Sequence, residues 1–206
     1  VAEKQSIDGL IPKEAGKDII EKSSFNVKEI EAIEKETKHD FIAFINNVSN
    51  YIGENAKYFH HGLTSSDIID TAFSIQLKQS SELIIDDLEN LIKIIKEKAH
   101  IHKNTLMIGR SHGIHAEPIT FGLKLASFYS EFNRNMQRLK KAKEEISICS
   151  ISGPVGTYNS IDPSIEKYVA NKINLIPEKV SWTYVERFES DFWISSDLLL
   201  ITFCTK

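Results

Sequence analysis

An all-α fold is what this sequence predicts, on three observations. Apolar residues recur at three- and four-residue steps over two very long stretches, the period of helices with one apolar face. No stretch shows the sustained two-residue alternation of a half-buried strand. The two stripes are also too long to hide on each other alone, so they ask for a bundle or an oligomer.

The elements follow in chain order. Residues 28–36 (KEIEAIEKE) and 40–52 (DFIAFINNVSNYI) read as helices, and residues 60–65 (HHGLTS) as a break. A long helix is expected from about Ser65 to His102, with Ile69, Phe73, Leu77, Ile84, Leu88, Leu91, Ile95 and Ala99 on its stripe. A second is expected from about Pro118 to Ile146, with Phe121, Leu125, Phe128, Phe132, Leu139, Ala142 and Ile146 on its stripe. Pro118 suits a first-turn position, where its missing N–H costs nothing. SGPVGTYNS (152–160) reads as a small-residue loop. Asp162-Pro163 starts a short helix ending near Asn174, Pro177 breaks the pattern, and a last apolar helix begins near Ser190.

The totals narrow the function classes. The chain has 206 residues, 41% of them hydrophobic, enough for a sizeable core. A net charge of −4 gives no whole-molecule attraction to nucleic acid or to a membrane surface, so an anionic ligand must be held by local groups. Cys149 and Cys204 lack the spacing of a disulfide framework or a thiolate zinc site. No apolar run reaches membrane-spanning length and no signal peptide is visible. The first residue is Val1 rather than Met, and the last apolar run simply stops, so both ends are expected to be cut from something longer.

Three clusters gather the unusual polar residues: ETKHDF (36–41), HHGLTSSD (60–67) and GRSHGIHAE (109–117). Each falls at a helix end or connector, where functional groups are usually mounted. Thr64 and Asp67 fit a capping box, so Thr64, Ser65 and Ser66 read as helix initiation. The same geometry also makes an anion site, because a helix start offers free N–H groups beside two hydroxyls. His60 and His61 add donors there. In the third cluster, Gly109 and Gly113 let the backbone bend around Ser111 and His112. Arg110 can grip a carboxylate or phosphate, or pair with a neighbouring acid. His112 is the best candidate for proton transfer, since imidazole titrates near neutrality. Lys124, just beyond, is either a solvated lysine or a cation reaching back to the same site. In the first cluster Lys38, His39 and Asp40 put a cation, a titratable ring and an acid in a row. Asp40 can orient or cap, and His39 can support a second histidine; solvated surface is the other reading. Seven histidines invite a metal, yet no carboxylate completes a ligand pattern and HExxH is absent, so no metal is expected.

Taken together, the order TKHD, HHGLTSSDIIDTA, GRSHGIHAEPITFGLK, SGPVGTYNSIDP resembles the adenylosuccinate lyases of the fumarase/aspartase superfamily over nearly the whole chain. That family usually reads T-R-H-D, H-Y-G-L-T-S-x-D and G-R-T-H-G-x-H-A-E-P-x-T-F-G. The resemblance implies a small helical N-terminal domain (1–63, incomplete at its start) followed by long helices of a bundle (64–206, incomplete at its end). It implies a cytoplasmic homotetramer that pools those helices and builds each active site from several subunits. The implied reaction is β-elimination of fumarate from adenylosuccinate, giving AMP, and from the succinyl-carboxamide purine intermediate. The substrate is a small anionic nucleotide; no cofactor, nucleic acid or membrane partner is implied.

Carried over residue by residue, His112 matches the general acid and His39 its supporting histidine. Lys38, His39 and Asp40 match the substrate-binding triplet. Thr64 and Ser65 match the pair that holds the substrate's anionic end, and His60 a further contact; Ser111 and Lys124 complete the expected binding set. The family's base, a serine in G-S-S-x-M-P-x-K-x-N-P, has no counterpart here, and its N-terminal Arg-Tyr phosphate contact is missing. Lys38 stands for Arg and loses a bidentate fork; Ser111 stands for Thr. Thr183 stands where a substrate-binding Gln is usual, and Phe188 where Asp is usual. This piece alone is therefore expected to be inactive. The alternative is a catalytically degenerate helical oligomerisation module of the same superfamily.

Overall fold

The computed structural model of the chain describes residues 1–179. The helix expected from Ser190, together with Thr183, Phe188 and Cys204, lies outside the described residues. The chain divides into two compact units: Val1–Ile75 with the described residues from Ile148 on, and Gln76–Ser147.

The first unit opens with two short helices that the apolar pattern did not announce, α1 (Ala2–Ile7) and α2 (Lys13–Lys22). They are followed by α3 (Val27–Thr37) and α4 (Asp40–Ile52), close to the expected bounds. Asn26 caps α3 by accepting from the N–H groups of Lys28 and Glu29 at 3.0 and 3.4 Å. Ile11, Ile19, Val48 and Ile52 form one core beneath these helices. A 3₁₀ turn (Gly53–Tyr58) then leads to α5 (Ser65–Ile101), a helix of 37 residues that starts where the sequence placed it. The later part of the unit carries the expected short helix α7 (Pro163–Ile173), capped by Asp162, whose side chain accepts from the Ser164 N–H at 2.8 Å. Asn174, in the left-handed region, closes it. A second core of Cys149, Ile151, Ile161, Ile165, Ala170 and Leu175 lies here. Its buried Cys149 thiol is pushed up to about 12 by loss of water, so it is no thiolate nucleophile near neutral pH.

In the second unit, Gln76–Ile101 of α5 pairs with α6 (Phe121–Ile146). The helices run antiparallel: Leu77 packs on Ala142 and Ile146, while Gly122 lies against the Ala99 carbonyl. Ile85, Leu88 and Ile95 interdigitate with Phe132, Met136 and Leu139. Burying side chains of this size stabilises by roughly 1.5–3 kcal/mol each. The expected stripes are right for Leu88, Ile95, Phe132 and Leu139, and they missed Ile85 and Met136.

One expectation fails. The connector between the long helices is not an irregular link into a helix starting at Pro118. It is an antiparallel hairpin, β1 (Leu106–Ser111) and β2 (Ile114–Thr120), in which Pro118 sits opposite Ile108. The α6 helix begins at Phe121, capped by Thr120, whose hydroxyl accepts from the Leu123 N–H at 3.1 Å. A two-stranded ribbon has only edges, so a proline with no N–H is tolerated in it. Apart from this hairpin and a two-residue bridge of β3 (Ile148–Cys149) with β4 (Ile176–Pro177), the described residues hold no strand, and the predicted all-α character stands.

Candidate active site

The hairpin gives His112 its place. Ser111 pairs with Ile114, leaving His112-Gly113 as a two-residue turn. Both residues have positive φ, 53° and 77°, as the tight turns that match strand twist require. Glycine takes that conformation freely, and histidine is among the few other residues found there with any frequency. The chain therefore holds its best proton-transfer candidate in an unusual backbone state at an exposed tip. Gly109 does a different job from the one expected of it. A Cβ there would lie 2.5 Å from the Glu117 carbonyl oxygen, and the pairing register slips at that point. Arg110 and Ser111 are exposed on β1, and Arg110 makes no ion pair with any described residue. Lys124 is exposed in the first turn of α6, again with no ion pair to a described residue.

The other two clusters belong to the first unit, and there the structure brings them together. Lys38 ends α3 in the left-handed conformation (φ 56°), with its N–H on the Glu34 carbonyl at 2.8 Å. His39, not Asp40, is the N-cap of α4. Its Nδ1 lies 3.5 Å from the Ile42 N–H and 3.2 Å from Asp40 Oδ1. One nitrogen cannot accept from the first and donate to the second at once. The closer contact needs a hydrogen on Nδ1, and the long one needs Nδ1 as an acceptor and is a marginal cap. Two residues on, Phe41 packs against the His60 ring with centroids 5.2 Å apart, joining the Lys38-His39-Asp40 junction to the turn at 60–65. Burial lowers the pKa of His60; the charge of Asp67 and a hydrogen bond to the Thr64 backbone oppose the shift.

Thr64 and Ser65 stand at the start of α5, half-buried. The capping box is present through Asp67, whose Oδ2 accepts from the Thr64 N–H at 2.9 Å. Sequence reasoning missed what the other oxygen does. Asp67 Oδ1 takes the N–H groups of Ser152 and Gly153, at 3.0 and 3.1 Å, from the small-residue loop. It also missed buried Glu166, which accepts from the Ile151 N–H at 2.7 Å and from the Tyr158 hydroxyl at 2.9 Å. Loss of water raises the Glu166 pKa and lifts the Tyr158 phenol to about 12. Only the capping spacing around Asp67 signalled any of this.

The unit thus offers a helix start with two hydroxyls, preceded in the chain by His60 and His61, and a helix start suits an anion; the Lys38-His39-Asp40 junction is linked to that turn through the Phe41–His60 ring contact. The other unit offers an imidazole on an exposed two-residue turn. Among the described residues no three His, Cys, Asp or Glu side chains stand together as metal ligands would.

A helical chain with these groups at its helix ends is a lyase by family: residues 1–189 match the family described as Lyase, and the chain belongs to it. Its curated relatives include the adenylosuccinate lyase of Bacillus subtilis (strain 168), 46% identical over 198 residues, or 96% of this chain and 46% of that protein. The adenylosuccinate lyase of Synechocystis sp. (strain ATCC 27184 / PCC 6803 / Kazusa) is 46% identical over 91% of this chain and 43% of its own length. The chain thus spans less than half the length of either. A solved fumarate lyase from Mesorhizobium sp. BNC1 matches with a TM-score of 0.84 and 27% identity, covering 96% of this chain and 49% of that one. The fold alone is shared with 3-carboxy-cis,cis-muconate lactonizing enzyme from Pseudomonas putida, with a TM-score of 0.79 and 24% identity over 88% of this chain and 43% of that one.

Proposed function

We propose that this chain is part of an adenylosuccinate lyase, which eliminates fumarate from adenylosuccinate to leave AMP and does the same to the succinyl-carboxamide purine intermediate. The observation that carries this reading is the 46% identity to adenylosuccinate lyases over 96% and 91% of the chain. In the reaction a base removes a proton from the carbon beside a carboxylate. The C–N bond then breaks, the electron pair leaves with nitrogen, and an acid protonates that nitrogen.

His112 is that acid, presented by the hairpin turn, and His39 supports it. Thr64 and Ser65 hold the anionic end of the substrate at the start of α5. Lys38, His39, Asp40 and His60 line the same side of the site, and Ser111 and Lys124 complete it. A long helix, α5, with candidates before its first residue and after its last, and with Leu83, Ile94 and Ile101 more than half exposed, supports a homotetramer whose sites combine residues from several subunits. Cytoplasmic location goes with that reading. No helix among the described residues is long and apolar enough to cross a membrane.

Fumarate release from adenylosuccinate tests the proposal, measured on the product of the complete gene and on the 206-residue chain. The complete product is expected to be active and to sediment as a tetramer. The 206-residue chain, which lacks a serine-loop base, is expected to be inactive. A folded complete product that releases no fumarate contradicts the activity, and an active monomer contradicts the shared sites.

A further inference from the structure

We infer that Asp67 is a positioning residue that sets the anion-holding turn by locking it to the loop 152–160, and that this loop belongs to the substrate site. The inference rests on the reading that Thr64 and Ser65 hold the substrate's anionic end. Asp67 is 3% exposed, yet it has no ion pair with any described residue. Three backbone N–H groups meet its carboxylate: Thr64 on Oδ2, and Ser152 and Gly153 on Oδ1. A capping box needs only the first of these bonds and leaves the carboxylate in water. Here the second oxygen reaches a segment 85 residues further along the chain.

The loop returns to the same turn at its far end. The Ser160 hydroxyl donates to the Gly62 carbonyl at 2.9 Å, and a Cβ on Gly62 would lie 2.5 Å from the Ser160 carbonyl oxygen. Between these two anchors Gly153 and Gly156 take positive φ, and the Tyr158 N–H closes on the Ser152 carbonyl at 3.0 Å. The segment 62–65 is therefore gripped from both ends of one loop. Asp67 is the group that fixes the Thr64 N–H and the loop's first two N–H groups in the same frame. Asn at this position has the same shape but only one acceptor oxygen, so it must release one half of the grip. Loss of the frame lets the two hydroxyls and the loop drift from the geometry that receives an anion, which weakens binding more than chemistry.

Steady-state fumarate release by the complete gene product provides the test, comparing wild type, Asp67→Asn and Ile19→Val. Ile19 lies in the separate core with Ile11, Val48 and Ile52, so its variant reports what a loss of stability alone does. Asp67→Asn is expected to raise KM by about tenfold or more with a smaller change in kcat. Its Ser152 and Gly153 amides should exchange with deuterium faster, while Ile19→Val leaves KM unchanged. An Asp67→Asn enzyme with wild-type KM, or an equal rise in KM in Ile19→Val, overturns the positioning role. Wild type that releases no fumarate overturns the activity itself, and the positioning role with it.

Discussion

At His60 the ring has given up water without gaining a full set of partners. Its Nε2 is buried with no hydrogen-bond partner among the described residues, and burial holds its pKa below the ordinary imidazole value. The folded state therefore binds this proton less readily than the unfolded chain does. The contribution is fully present above the unfolded value of about 6.5 and is lost as the pH falls below it. Denaturant unfolding between about pH 7.5 and pH 5.5 should show wild type losing more stability than His60→Phe, a substitution that keeps the contact with Phe41. The difference in slope is bounded at about 1.4 kcal/mol per pH unit for one proton. Equal slopes would mean that His60 is not held neutral by burial. Legibility at this scale follows distance along the chain. Asp67 and Thr64 are three residues apart, and their box was readable. The bonds of Asp67 to Ser152 and Gly153 depend on a fold that brings distant segments together, and no local pattern announces them.

Elements were legible wherever an apolar period ran for several turns, as in α4, α5 and α6. The hairpin was not, because its strands are short, exposed and mixed in character, and Pro118 imitated a helix start. The available signal was His112-Gly113, a residue tolerant of positive φ followed by glycine, between two short apolar segments. Gly122 marks a close approach of α6 to the end of α5. A Cβ there would meet the Ala99 carbonyl oxygen at 2.5 Å and the Lys103 backbone at 2.6 Å. These atoms belong to the last turn of α5 and the turn after it, which also take the Gly122 and Phe121 N–H groups at 2.9 and 2.8 Å. Alanine gains about 1 kcal/mol of helix propensity over glycine. Overpacking against backbone costs about 1–3 kcal/mol, so Gly122→Ala should lower stability on balance. Chemical denaturation checks the sign, and a stabilised variant would show that α6 can shift away from α5 without cost.

For the whole molecule, the helical class and the lyase family were legible because several motifs recur in a fixed order along nearly the entire chain. The proposed function depends most directly on whether the imidazole at the hairpin tip moves the proton in the elimination. The most direct measurement is kcat for fumarate release from adenylosuccinate by the complete gene product, wild type against His112→Asn. Asparagine keeps the left-handed turn that alanine would strain, so the substitution removes the acid and spares the backbone. A fall in kcat of about 10²–10⁴-fold with an unchanged melting temperature is expected. A kcat within a factor of about three of wild type, well below the range expected of a general acid, would contradict it.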